Sequence, residues 1–217
     1  NVVAVLVEPI QGEGGIRTLD IAYLQQLRQI CDEHNWLLML DEVQCGMGRT
    51  GKWFAFQHTG ILPDVVTLAK GLGSGVPIGA CLVAGKAAGT FQPGNHGSTF
   101  GGNPLACTAG LTTLNIIEQD KLLAHAESLG QFIRQGFATS LQGVNGVREI
   151  RGQGLMIGIE LDKPCGDLVK QALAKGLLTN VTADNVIRLL PPLVMSQDEA
   201  QQLLDILCPL IKEFLQS

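Results

Sequence analysis

The chain has 217 residues, enough for one large domain or two small ones, with 46% hydrophobic residues and a formal net charge of -5. That balance gives no electrostatic footprint for nucleic acid or an anionic membrane surface. The longest unbroken apolar run, residues 2–7, is far too short to span a bilayer, so a soluble protein is expected.

Residues 2–7 (VVAVLV) are a β-branched apolar run typical of a strand buried on both faces. The chain opens inside this strand and without an initiator methionine, so it reads as the C-terminal part of a longer polypeptide. Residues 18–35 carry Leu24, Leu27, Ile30 and Cys31 at helical spacing, and residues 36–40, 65–69 and 78–84 repeat the buried-strand signal. Strands that alternate with helical segments predict an α/β sheet covered on both sides, whose ligands sit beyond the carboxyl ends of the strands. That rule singles out Glu8, Asp41 and Lys70. Asn103 followed by Pro104 is a cap and a first-turn proline, which predicts a helix to about Glu118. A second helix is expected over residues 121–141. Beyond it VREIRG and LMIGIEL look like a strand pair, residues 166–175 a short helix and VIRLLP a strand. Ser196 should cap the last helix, with Leu203, Leu207, Leu210, Ile211 and Phe214 on one face. The expected organisation is a larger sheet domain over residues 1–119 and a small α+β domain over 120–217.

One stretch invites a nucleotide reading: WLLMLDEVQCGMGRTGKW joins an acidic strand end to seven positions of a phosphate loop. The eighth position, which should supply a hydroxyl for Mg²⁺, is Trp53, and no capped helix follows. The nucleotide reading is therefore set aside. The six cysteines, at 31, 45, 81, 107, 165 and 208, show no zinc-like spacing. They read as free thiols of a reducing compartment, the cytoplasm, with no metal site expected.

The 27 glycines exceed the roughly 7% usual share. They cluster where strands end, in QGEGG, CGMGRTG, KGLGSG and HGSTFGGN, which suits loops that come close to a bulky ligand. A desolvated strand-end amine such as Lys70 can act as a nucleophile toward aldehydes. A carboxylate at a neighbouring strand end, Asp41, calls for a facing positive charge, and the pyridinium nitrogen of pyridoxal phosphate is one.

Four ordered motifs, VLVEPIQGEGG, LLMLDEVQCGMGRTGKWFAFQHTGILPDVVTLAKGLGSGVPIGA, HGSTFGGNPLA and VIRLLPPL, resemble the class III, pyridoxal-phosphate-dependent aminotransferases. The resemblance implies fold type I: the second half of the large, mainly parallel-sheet domain plus the small C-terminal domain. It implies that Lys70 bonds the cofactor aldehyde and then carries the substrate proton, and that Asp41 pairs with the ring N–H. Val43 is implied to pack on the ring, Gln44 to hydrogen-bond its hydroxyl, and Glu42 to belong to the same cofactor-binding run. Thr99 is implied to reach the phosphate in a neighbouring subunit of a homodimer, with Ser98 beside the substrate. Arg188 matches the arginine that holds the substrate carboxylate, and Glu8 is expected to pair with it while the terminal amine of a donor reacts. Within the class, the similarity is greatest to members that act on acylated ornithine. The implied reaction moves the δ-amino group of N2-acetyl-L-ornithine to 2-oxoglutarate in arginine biosynthesis. Succinylornithine, succinyldiaminopimelate, ornithine and 4-aminobutyrate are alternative donors, and a catalytically incomplete fragment is the alternative of another kind.

Overall fold

The computed structural model describes residues 1–216, which divide into two compact units. The first comprises Asn1–Ile10 and Leu19–Leu123; the second comprises Gln11–Thr18 and the chain from Ala124 onward. Assignment of the short segment Gln11–Thr18 to the second unit has no counterpart in the single boundary expected near residue 120.

The first unit is built on a four-stranded sheet of β1 (Ala4–Val7), β4 (Leu37–Asp41), β5 (Val65–Leu68) and β6 (Ala80–Val83), in that order. β1, β4 and β5 run parallel, and β6 joins antiparallel at the edge. Helix α1 (Ile21–Glu33) starts at Asp20, whose Oδ1 accepts from the Ala22 and Tyr23 amides. Its Leu24 and Cys31 pack with Leu38 and Leu40 of β4. Asp64 ties these elements together: its Oδ2 accepts from Arg28 Nη1 and from the Leu38 amide, each at 2.8 Å. Burial on both faces holds best for the inner strands. Leu6 of β1 and Leu82 of β6 are exposed, so among the described residues the outer strands are covered on one side only in part. Helix α2 (Pro104–Gln119) has the expected cap, Asn103 Oδ1 accepting from the Ala106 amide at 3.0 Å with Pro104 in the first turn.

Helix α3 (Leu122–Ser140) leads into the second unit, whose antiparallel sheet has the order β7 (Val147–Gln153), β8 (Met156–Leu161), β10 (Val186–Leu189) and β9 (Asn180–Thr182). The strand β9 and the two-residue strands β2 (Ile10–Gln11) and β3 (Arg17–Thr18) went unanticipated, being too short to show a period. Helices α4 (Asp167–Ala174) and α5 (Gln197–Gln216) complete the unit. Phe137, Ile133, Leu155, Ile157, Ile187, Leu207 and Ile211 lie fully inside a core built from α3, the sheet, α4 and α5. Ser196 caps α5 reciprocally: its Oγ accepts from the Glu199 amide, while Glu199 Oε2 accepts from the Ser196 amide at 2.7 Å. No helix among the described residues is long and apolar enough to cross a membrane.

Candidate functional site

The parallel strands of the first unit gather its candidate residues at one end. Glu8 directly follows β1, Asp41 closes β4, and Lys70 comes two residues after β5. Asp41 lies opposite Thr67 in the β4–β5 register, so Lys70 extends three residues beyond that level on the adjacent strand. Asp41 Oδ1 accepts from the Val43 amide at 2.9 Å, which fixes its carboxylate at the strand end.

Lys70 stands at φ 45°, the left-handed region, and opens a short 3₁₀ turn, Lys70–Leu72. That conformation costs a side-chain-bearing residue roughly 1–2 kcal/mol, and such outliers gather at functional sites. The Lys70 side chain is exposed among the described residues.

Glu42 follows Asp41 directly at the end of β4. Its side chain is buried and accepts from the Ala55 amide at 2.8 Å and the Phe56 amide at 2.9 Å. The Cys45 thiol donates to the same carboxylate at 3.4 Å. Burial pushes the Glu42 carboxyl above its ordinary value, against the pull of those two N–H donors. The carboxylate is thus spent on anchoring the loop that follows β4, while half-buried Val43 and Gln44 continue the strand-end run.

Four amides of that loop are satisfied within it and do not face outward to a phosphate: Gly46 donates to the Glu42 carbonyl, Arg49 to Gly46, Gly51 to Gly48 and Gly48 to Trp53. Glycine is required at position 46, where a Cβ would stand 2.7 Å from the Glu42 carbonyl oxygen. Burial pushes Arg49 down to about 10, which leaves it charged at neutral pH. Ser98 and Thr99 lie in an exposed segment, where Ser98 Oγ accepts from the Gly101 amide at 2.9 Å.

In the second unit, Arg188 on β10 is half-buried, and its Nη1 meets Glu13 Oε1 at 2.6 Å. Its Nε donates to Asn180 Oδ1 at 3.1 Å. Within the second unit the carboxylate that engages Arg188 is Glu13, a residue of QGEGG five positions beyond Glu8. Sequence reasoning missed Glu13 by applying the strand-end rule to the first acidic residue of VLVEPIQGEGG. The available signal was a second carboxylate among glycines, five positions on.

A lysine and a carboxylate at neighbouring parallel strand ends suit an aldehyde on a ring nitrogen heterocycle, so these side chains fit pyridoxal phosphate. Among the described residues no group of His, Cys, Asp and Glu is placed to hold a metal ion. The α/β unit with its strand-end lysine and the separate antiparallel unit are those of a fold type I, pyridoxal-phosphate-dependent transferase. Residues 1–211 match the family model for class-III aminotransferases, and the chain belongs to that family. It is 60% identical over 215 residues to acetylornithine aminotransferase 1 of Bordetella bronchiseptica, covering 99% of this chain and 55% of that protein. The crystal structure of N-acetylornithine aminotransferase from Stenotrophomonas maltophilia superposes with a TM-score of 0.89 at 38% identity, over 99% of this chain and 57% of that one. Ornithine aminotransferase from Plasmodium yoelii gives a TM-score of 0.92 at 37% identity, over 98% of this chain and 57% of that one. The chain spans about half the length of the curated relatives it matches.

Proposed function

We propose that the polypeptide containing this chain transfers the δ-amino group of N2-acetyl-L-ornithine to 2-oxoglutarate with pyridoxal phosphate, a step of arginine biosynthesis in the cytoplasm. The observation that carries this reading is the Glu13–Arg188 pair, in a chain 60% identical to a relative named for acetylornithine. An arginine fork holds a carboxylate bidentately and fixes its orientation. With Glu13 on Arg188, a donor is left to enter by its terminal amine. Once Glu13 departs, Arg188 can hold the α-carboxylate of 2-oxoglutarate.

When bound, the cofactor supplies an electron sink for the substrate carbon that loses its proton. Lys70 is the amine for the cofactor aldehyde and the group that takes and returns that proton. Asp41 keeps the ring nitrogen protonated, Val43 packs on the ring and Gln44 meets its hydroxyl. Glu42 supports them from behind by holding the loop. Ser98 stands near the substrate, and Thr99 reaches the phosphate in a second copy of the chain. Exposed Phe100 and Leu105, which line one groove, support a homodimer, since contiguous apolar surface marks an interface. In this reading the first unit is the second half of the large domain and the second unit is the small domain.

Two experiments test it. Borohydride reduction of the polypeptide with pyridoxal phosphate, followed by peptide mapping, should put the pyridoxyl group on Lys70, and label elsewhere alone would sink the assignment. Glu13→Ala should shift preference from N2-acetylornithine toward L-glutamate, a donor that reacts through its α-amine. An unchanged preference would remove the gating role.

A further inference from the structure

The Glu13–Arg188 pair is held by more than its own two side chains. β9 and β10 pair with Arg188 opposite Asn180 and Val186 opposite Thr182. Asn180 and Thr182, two residues apart, therefore share one face of the edge strand. Asn180 takes the Arg188 side chain, and the Thr182 hydroxyl donates to the Glu13 carbonyl. One short strand thus grips the arginine by its guanidinium and the glutamate by its backbone.

Arg151 on β7 grips the rest of the loop. Its Nε donates to the Gly15 and Ile16 carbonyls at 3.0 Å each, and its Nη2 donates to Gly15. Glu149 and Glu160 hold its Nη1 at 2.7 and 2.5 Å, so the fork reaches the carbonyls already oriented. Gly15, at φ 94°, has no room for more: a Cβ would lie 3.2 Å from Val186 Cγ2 and 3.3 Å from Arg151 Nη2. The Glu13 side chain itself is 71% exposed. The Arg188 side chain is largely buried but that of Glu13 is not, and ordering the glutamate side chain costs entropy, so the pair's persistence depends on how firmly the backbone behind Glu13 is placed.

We propose that Thr182 and Arg151 are positioning residues for donor choice: they fix the Gln11–Thr18 loop so that Glu13 stays on Arg188 while a donor reacts through its terminal amine. The inference rests on the reading of Glu13 given above. Without the clamp Glu13 leaves Arg188 more often, and the freed guanidinium takes the α-carboxylate of an α-amino acid.

The test uses the complete natural polypeptide loaded with pyridoxal phosphate, with single-turnover rates for N2-acetylornithine and for L-glutamate. Thr182→Val, which removes one hydroxyl from a strand at nearly constant shape, should lower the ratio of the first rate to the second by roughly three- to tenfold, the equivalent of one net hydrogen bond. Thr182→Ser should restore it, and Arg151→Lys should lower it as well. In a Glu13→Ala background, Thr182→Val should change the ratio no further, because the clamp then has nothing to position. Amide exchange across residues 11–18 should quicken in Thr182→Val while that of β8 stays as it was. A ratio moved by Glu13→Ala but untouched by Thr182→Val overturns the clamp and leaves the pair's role standing. Equal shifts with and without Glu13 reduce Thr182 to general packing and overturn it too. No shift in Glu13→Ala removes the pair's role, and the clamp falls with it.

Discussion

Replacing Glu42 by alanine tests whether a buried carboxylate, rather than the glycines, shapes the loop behind Asp41. The substitution strips acceptors from two amides, the buried one of Ala55 at 2.8 Å and the half-buried one of Phe56 at 2.9 Å. A buried donor left unpaired costs about 1–3 kcal/mol, toward the upper figure for Ala55 and the lower for Phe56. Removing the charge also relieves its own desolvation, which offsets part of that loss. The expected net destabilisation is roughly 3 kcal/mol by urea unfolding at neutral pH. Glu42→Gln, which keeps one acceptor oxygen, should fall between the two. The pH dependence has a definite sign. Burial raises the folded carboxyl above its ordinary 4.5, so the folded state holds the proton more tightly than the unfolded chain. The stability that Glu42 contributes through this titration is full below about pH 4.5 and is lost as pH rises through the raised folded value. The gap between wild type and Glu42→Ala should narrow over that window and then level off. A loss below about 1 kcal/mol would refute the account of Glu42 as the loop's anchor, and a gap that widens with rising pH would refute desolvation as the dominant influence on its titration.

Two further outcomes follow from the cores. Phe137→Ala empties a fully buried site in the second unit's core and should cost about 3–5 kcal/mol, measured by the same unfolding assay. Cys45 and Cys165 are buried thiols that desolvation pushes up, Cys165 to about 11, so neither forms thiolate near pH 8. Alkylation of the native protein at that pH should spare both until denaturant is added; labelling of either at the rate of a free thiol would contradict their burial.

The parts of the fold legible in the sequence were those where several local signals agree. At Asn103-Pro104 a capping side chain and a first-turn proline point the same way, and the helix begins there. Ser196 and Glu199 form a capping box, and the apolar stripe behind them is buried as its period requires. Pro209 stands inside that last helix, where a strong stripe on the core side outweighs one broken backbone bond. The first turn of α1 was placed too early, at Thr18 instead of Ile21. Thr18 pairs as β3, and Asp20 is the residue whose oxygen meets the free amides. β9 was invisible because three residues carry no period, yet it supplies both Asn180 and Thr182.

The residues proposed to bear on donor choice were hidden for a related reason. Asp41 and Lys70 owe their places to the ends of parallel strands, which apolar runs reveal directly. Glu13 owes its place to contacts made far along the chain: Thr182 holds its carbonyl, Arg151 holds the two residues beyond Gly14, and Arg188 meets its carboxylate. None of these is local in sequence. A strand-end rule applied to VLVEPIQGEGG therefore selects Glu8, which directly follows β1, and passes over the carboxylate placed by a second sheet. Where the chemistry depends on a proton moving at one strand end, short-range pattern suffices. Where it depends on an arginine being covered or uncovered, the deciding contacts are long-range hydrogen bonds to loop carbonyls, and single-residue periodicity carries no trace of them.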